Sequence, residues 1–75
     1  MNFARELDAK GLSCPLPILR TKKILFEMAS GQILHVLTTD PGSVRDFQAF
    51  CKQTGNELMS TTEAESVFEF FLKRK

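Results

Sequence analysis

Residues 3–31, FARELDAKGLSCPLPILRTKKILFEMASG, decide the fold, because within them a strand-like period of two gives way to a helical period across a single glycine. From Phe3 to Lys10 the residues alternate. Phe3, Leu7 and Ala9 lie on one side and Glu6, Asp8 and Lys10 on the other, as in a half-buried strand. Arg5 interrupts the apolar side, which marks this strand as an edge strand or one frayed at its start. Gly11 permits a turn. From Pro15 to Met28, projected at about 100° per residue, Ile18, Thr21, Ile24, Leu25 and Met28 form one stripe, with Arg20, Lys23 and Glu27 roughly opposite. That stripe predicts a helix laid on a sheet and stopped by Gly31.

The rest of the chain extends this pattern. Ile33, Leu34, Val36 and Leu37 flank His35 in an apolar run between Gln32 and Thr39, and apolar residues of both parities predict a strand that is central or covered on both faces. Asp40-Pro41-Gly42 opens a second helix, with Asp40 expected at the N-cap and Pro41 at the first helical position. Val44, Phe47, Phe50, Cys51 and Thr54 share its apolar stripe, and Gly55-Asn56 ends it. Glu57–Thr62 and Glu65–Lys73 read as two strands of a hairpin turning at Glu63 and Ala64, with Phe68, Phe70 and Leu72 on one face and Val67, Glu69 and Phe71 on the other. The expected order is βαβαββ, an α+β fold with two helices on one face of a mixed four-stranded sheet.

Length and charge narrow the function. Seventy-five residues make one domain, 1–75, near the lower limit for a core without metal or disulfide staples, and seven Phe supply bulk in the absence of Trp and Tyr. A net charge of +1 gives no global attraction to nucleic acid or to an anionic membrane, so nucleic-acid contact is expected to be indirect at most. No apolar run approaches the roughly 20 residues of a membrane span. Residues 1–6 lack the pattern of a secretory signal, and the expected location is the cytoplasm. The basic stretches Arg20-Thr21-Lys22-Lys23 and Lys73-Arg74-Lys75 read first as solvated surface.

Periodicity assigns the two cysteines to different environments. Cys51 lies in the stripe with Phe47 and Phe50, where a thiol packs as a small hydrophobe and resists ionisation. Cys14 directly precedes Pro15 and is expected at the N-cap of the first helix, facing the unpaired N–H groups and positive dipole end that favour thiolate. Pro15 and Pro17 lack N–H groups, which leaves those of Leu16 and Ile18 as the nearest free donors. Cysteine is not a favoured cap, so its presence there points to chemistry. With no Cys-x-x-Cys pair, a dithiol oxidoreductase of thioredoxin type is not expected, and Cys14, Cys51 and His35 lack the spacing of metal ligands. A lone His in an apolar strand is expected to be a satisfied sheet-face residue. One activated thiol without a base or phosphate loop can attack a persulfide or disulfide sulfur, hold the transferred atom and surrender it to another thiol. Beside Cys14, the flank residues Leu19 and Phe26 are either covered at the helix margin or, with Arg20, Lys22 and Lys23, form a partner-docking surface.

The stretch Gly11-Leu12-Ser13-Cys14-Pro15-Leu16-Pro17, followed by Gly31, Asp40-Pro41, Asp46, Phe50-Cys51 and Gly55-Asn56-Glu57-Leu58, resembles the TusA family of small sulfur carriers, also called SirA-like. The resemblance implies a two-layer α/β sandwich with Cys14 as the persulfide site, supported by Gly11, Pro15, Leu16, Pro17 and Ile18. It implies no cofactor beyond the covalent persulfide sulfur. It also implies a cysteine desulfurase or rhodanese-like donor, a downstream sulfur-relay acceptor and, in one branch, tRNA thiolation. Leu16 stands where the family motif often carries Glu, so the surface beside the thiol is more apolar here. Two other readings stay open: a regulatory protein- or RNA-interaction module without sulfur chemistry, and a single-cysteine redox sensor.

Overall fold

A computed structural model describes residues 2–75. The elements run β1 (Arg5–Ala9), α1 (Leu16–Glu27), β2 (Ile33–Thr38), α2 (Ser43–Thr54), β3 (Glu57–Ala64) and β4 (Val67–Lys73). They build one sheet in the order β1-β2-β4-β3. β1 pairs parallel with β2 across the α1 connection, whereas β4 pairs antiparallel with both β2 and β3, so the sheet is mixed, as expected. β2 is central, which explains its apolar residues of both parities. No described helix is long and apolar enough to cross a membrane.

Both helices cover the same sheet face. Leu25 and Met28 from α1 and its C-cap meet Phe47, Phe50 and Cys51 of α2 over Leu34, Val36, Phe68, Phe70 and Leu72 of the sheet. Phe47 and Phe70 lie fully buried with ring centroids 4.4 Å apart at 21°. Burying each ring contributes about 1.5–3 kcal/mol, and the stacked geometry adds about 0.5–1.5 kcal/mol. These two rings join α2 to the middle of the sheet.

Four boundaries differ from the sequence reading. β1 starts at Arg5, and a bend at Ala4 breaks the alternation. Phe3 therefore leaves the core side and packs on the outer sheet face, 4.9 Å from the His35 ring. The N-cap of α1 is Pro15, one residue after Cys14, because the Leu16 N–H already closes a turn onto Ser13 O at 2.9 Å. α2 starts at Ser43 with Gly42 as N-cap, while Asp40 acts two residues before the cap: its Oδ1 accepts the Gly42 N–H at 3.1 Å, and its carbonyl accepts that of Ser43 at 3.0 Å. The hairpin turns at Glu65 and Ser66, not Glu63 and Ala64. Both turn residues have positive φ, 52° and 65°, as a tight two-residue hairpin requires. Neither is the Asn or Gly that advertises such a turn, so the sequence carried no signal for it.

On the outer sheet face His35 stacks on Phe71 at 4.5 Å. Its Nε2 lies 3.0 Å from Glu69 and its Nδ1 3.6 Å from Glu6, neither aligned as a hydrogen bond. The ring is a buried sheet-face residue as expected, but stacking holds it and hydrogen bonding does not.

Candidate functional site

The parallel pairing of β1 with β2 brings the two following loops together at the C-terminal ends of their strands, where Ala9 stands opposite Thr38. One loop carries Cys14 and the other Asp40. They are tied by side chains of the second: Thr39 Oγ1 accepts the Gly11 N–H at 2.9 Å, and Asp40 Oδ2 accepts the Cys14 N–H at 2.9 Å. Gly11 has φ 82°, a backbone conformation in which a β-carbon would be strained. With its other oxygen on Gly42, the Asp40 carboxylate bridges the thiol loop and the entry to α2.

Cys14 is exposed. With Pro15, Ile18, Asp46, Ala49 and Phe50 it lines a shallow hollow between the start of α1 and the face of α2. No cation lines that hollow. The thiol pKa is raised, first by the neighbouring Asp46 carboxylate as an acceptor for the thiol proton, then by desolvation, then by the negative charges of Asp46 and Asp40. The expected depression of the thiol pKa is therefore corrected. Cys14 lies outside the N-cap, makes no side-chain cap bond, and loses the nearest first-turn donor to Ser13. A helix dipole acts strongly only within the first turn, and here two carboxylates oppose it.

Asp40 and Asp46 are the site residues that sequence reasoning missed as such. Asp40 had a sufficient local explanation as a helix cap, and Asp46 entered only among the residues of the family resemblance, so their common neighbour stayed hidden. Cys51 is buried, 5% exposed, and burial pushes its thiol up to about 11. It is a core residue, as its periodicity predicts.

The motif residues around Cys14 divide. Within α1, Pro17 is buried and Ile18 half-buried, whereas Leu16, at the helix start that follows the thiol loop, is 41% exposed. Of the expected partner surface, Leu19, Lys22, Lys23 and Phe26 line one hollow together with Glu27. Leu19 and Phe26 are exposed at 54% and 84%, so they are not covered at the helix margin. Arg20 and Lys23 turn toward the β1 edge with Arg5 and Glu27, while Lys22 and Phe26 also border α2 and the last residues of the chain. Among the described residues, no three His, Cys, Asp or Glu side chains gather as metal ligands.

A family model described as "Sulfurtransferase TusA" matches residues 5–74. This chain belongs to the TusA family. The chain is 63% identical over 73 residues to a sulfur carrier protein TusA of Allochromatium vinosum, covering 97% of this chain and 96% of that protein. It is 51% identical to a putative sulfur carrier protein of Neisseria meningitidis, covering 96% and 97% of the two chains. Among solved structures, a SirA-like protein from Desulfitobacterium hafniense superposes with a TM-score of 0.84 at 28% identity, over 93% of this chain and 96% of that one. The TusA-family fold thus agrees with the two-layer arrangement described above.

Proposed function

We propose that this TusA-family protein is a sulfur carrier that holds sulfane sulfur as a persulfide on Cys14, taking it from one protein and handing it to another. The observation that carries the reading is the position of Cys14: an exposed thiol on the loop between parallel strand and helix, its amide pinned by Asp40, within a chain 63% identical to a sulfur carrier over nearly its full length. In the loading step the Cys14 thiol gives up its proton and its sulfur attacks the outer sulfur of a donor persulfide. The donor S–S bond breaks, a new S–S bond forms at Cys14, and the departing donor thiolate takes up a proton. Unloading reverses these roles with an acceptor thiol. No external oxidant or reductant is needed, because the transferred atom keeps its oxidation level.

The donor is a cysteine desulfurase or a rhodanese-like protein, and the acceptor another member of a cytoplasmic sulfur relay, with tRNA thiolation as one destination. The exposed, apolar Leu16 at the helix start that follows the thiol loop favours a partner with a matching apolar contact. Incubation with a cysteine desulfurase and free cysteine is expected to add the mass of one sulfur atom, lost on reduction and absent from Cys14→Ser. Equal gain of sulfur by Cys14→Ser would show the site to be wrong.

A further inference from the structure

The hollow at Cys14 and a second depression between α1 and α2 share one wall, Phe50, and the two together make up a groove whose far end is lined by, among others, Lys22, Leu25, Phe26, Thr54, Arg74 and Lys75. Leu25 and Phe50 form a buried apolar floor, and Phe26 stands beside it at 84% exposure. The rim at this far end is basic, and no acidic side chain lines it. Arg74 is held there by its Nε–H on Leu25 O at 2.7 Å and its Nη1–H on Lys75 O at 2.9 Å. The Lys75 side chain lies over the C-terminus of α2, with Nζ 3.3 Å from where a β-carbon on Gly55 would stand. An apolar floor with a cationic end and a thiol at the other end is complementary to an acidic peptide that carries sulfur.

We propose that this groove seats an extended acidic segment of the protein that exchanges sulfur with Cys14, its cysteine at the thiol end and its carboxylates at Lys22 and Lys75. The proposal rests on the reading of Cys14 as the persulfide site. The spacing follows from the helix beside the groove. Asp46 at the thiol end and Thr54 at the basic end are eight residues apart on α2, about 12 Å at about 1.5 Å per residue. An extended chain covers that in about four residues. The recognised segment therefore places its acidic residues about four positions from its cysteine. Lys22 and Lys75 give specificity and encounter rate, while the floor excludes water around the segment.

The test uses the full chain and short synthetic peptides with a cysteine and, about four positions away, either a pair of Glu or a pair of Lys. Binding is read by fluorescence anisotropy at low salt with the peptide cysteine replaced by Ser, and loading by intact mass with the persulfidated peptides. The Glu peptide is expected to bind about tenfold tighter than the Lys peptide. Charge reversal in K22E/K75E is expected to invert that order, in a variant whose far-UV circular dichroism and urea midpoint match those of the unsubstituted chain and whose preference is lost when the chain is unfolded in urea. Equal binding of the two peptides, or an order unchanged in K22E/K75E, overturns the proposal, as does tighter binding of a single-stranded RNA oligonucleotide that the Glu peptide fails to displace. Charge-dependent binding with no sulfur appearing on Cys14 would overturn the persulfide reading and leave the docking site standing. Loading without charge preference would do the reverse.

Discussion

Replacing Asp40 by Ala removes both bonds through which one carboxylate joins the thiol loop to α2, from Gly42 N at 3.1 Å and from Cys14 N at 2.9 Å. The first is a cap-like bond whose loss typically costs about 1 kcal/mol. The second is a bond to a charged acceptor, worth up to about 3 kcal/mol when shielded, but this one is exposed to solvent and belongs near about 1 kcal/mol. Asp40→Ala should therefore cost about 2 kcal/mol. Asp40→Asn keeps one oxygen acceptor and turns an N–H₂ toward the other donor, so it should cost about half as much. With a urea dependence of about 1 kcal/mol per M for so small a domain, the unfolding midpoints should fall by about 2 M for Asp40→Ala and about 1 M for Asp40→Asn. Urea titration followed by far-UV circular dichroism measures both shifts, and amide hydrogen exchange reports on Cys14 directly. Faster exchange at Cys14 is expected in Asp40→Ala. A midpoint that Asp40→Ala leaves in place, with Cys14 exchange unchanged, would refute the bridging role.

Two further outcomes concern the thiols. Asp46 is the leading cause of the raised Cys14 pKa, so Asp46→Asn should lower that pKa and speed alkylation of Cys14 at neutral pH, whereas Asp46→Glu should retain most of the restraint; titrating alkylation rate against pH distinguishes them, and no change in Asp46→Asn would count against the contact. Cys51, buried and held at about 11, should resist alkylation until the chain is unfolded. Its folded pKa is raised, so its contribution is complete below its ordinary value of 9.0 and is lost as pH climbs toward about 11. Cys51→Ala should flatten the fall in stability across that window, measured by urea midpoints at successive pH values; an equally steep fall would assign it to other groups.

Element types were legible from period alone, because each strand and helix keeps one face on the core, and the two-sided apolarity of β2 marked it as central or covered on both faces, of which the strand order selects central. Boundaries were less so. Phe3 alternates correctly with Leu7 and Ala9 yet lies on the opposite sheet face, since the bend at Ala4 resets the pleat and only the structure records it. The Glu65-Ser66 turn was invisible because its residues adopt positive φ without the side chains that favour it. The helix start misled by one residue, enough to place Cys14 at a cap position it does not hold.

By itself the sequence determined which cysteine faces solvent and which is core, and that the exposed one lies where a strand turns into a helix. These are local properties, decided by neighbours within one or two turns. The electrostatics of that thiol were decided only by tertiary structure. Asp40 stands 26 positions from Cys14 along the chain and reaches its amide because parallel pairing of β1 and β2 ends both strands on the same side. The same packing sets Asp46 against the thiol and opens the groove from Cys14 to Lys75 between the two helices. A motif can present a thiol, but whether that thiol is free or restrained depends on charges that no local pattern brings to it.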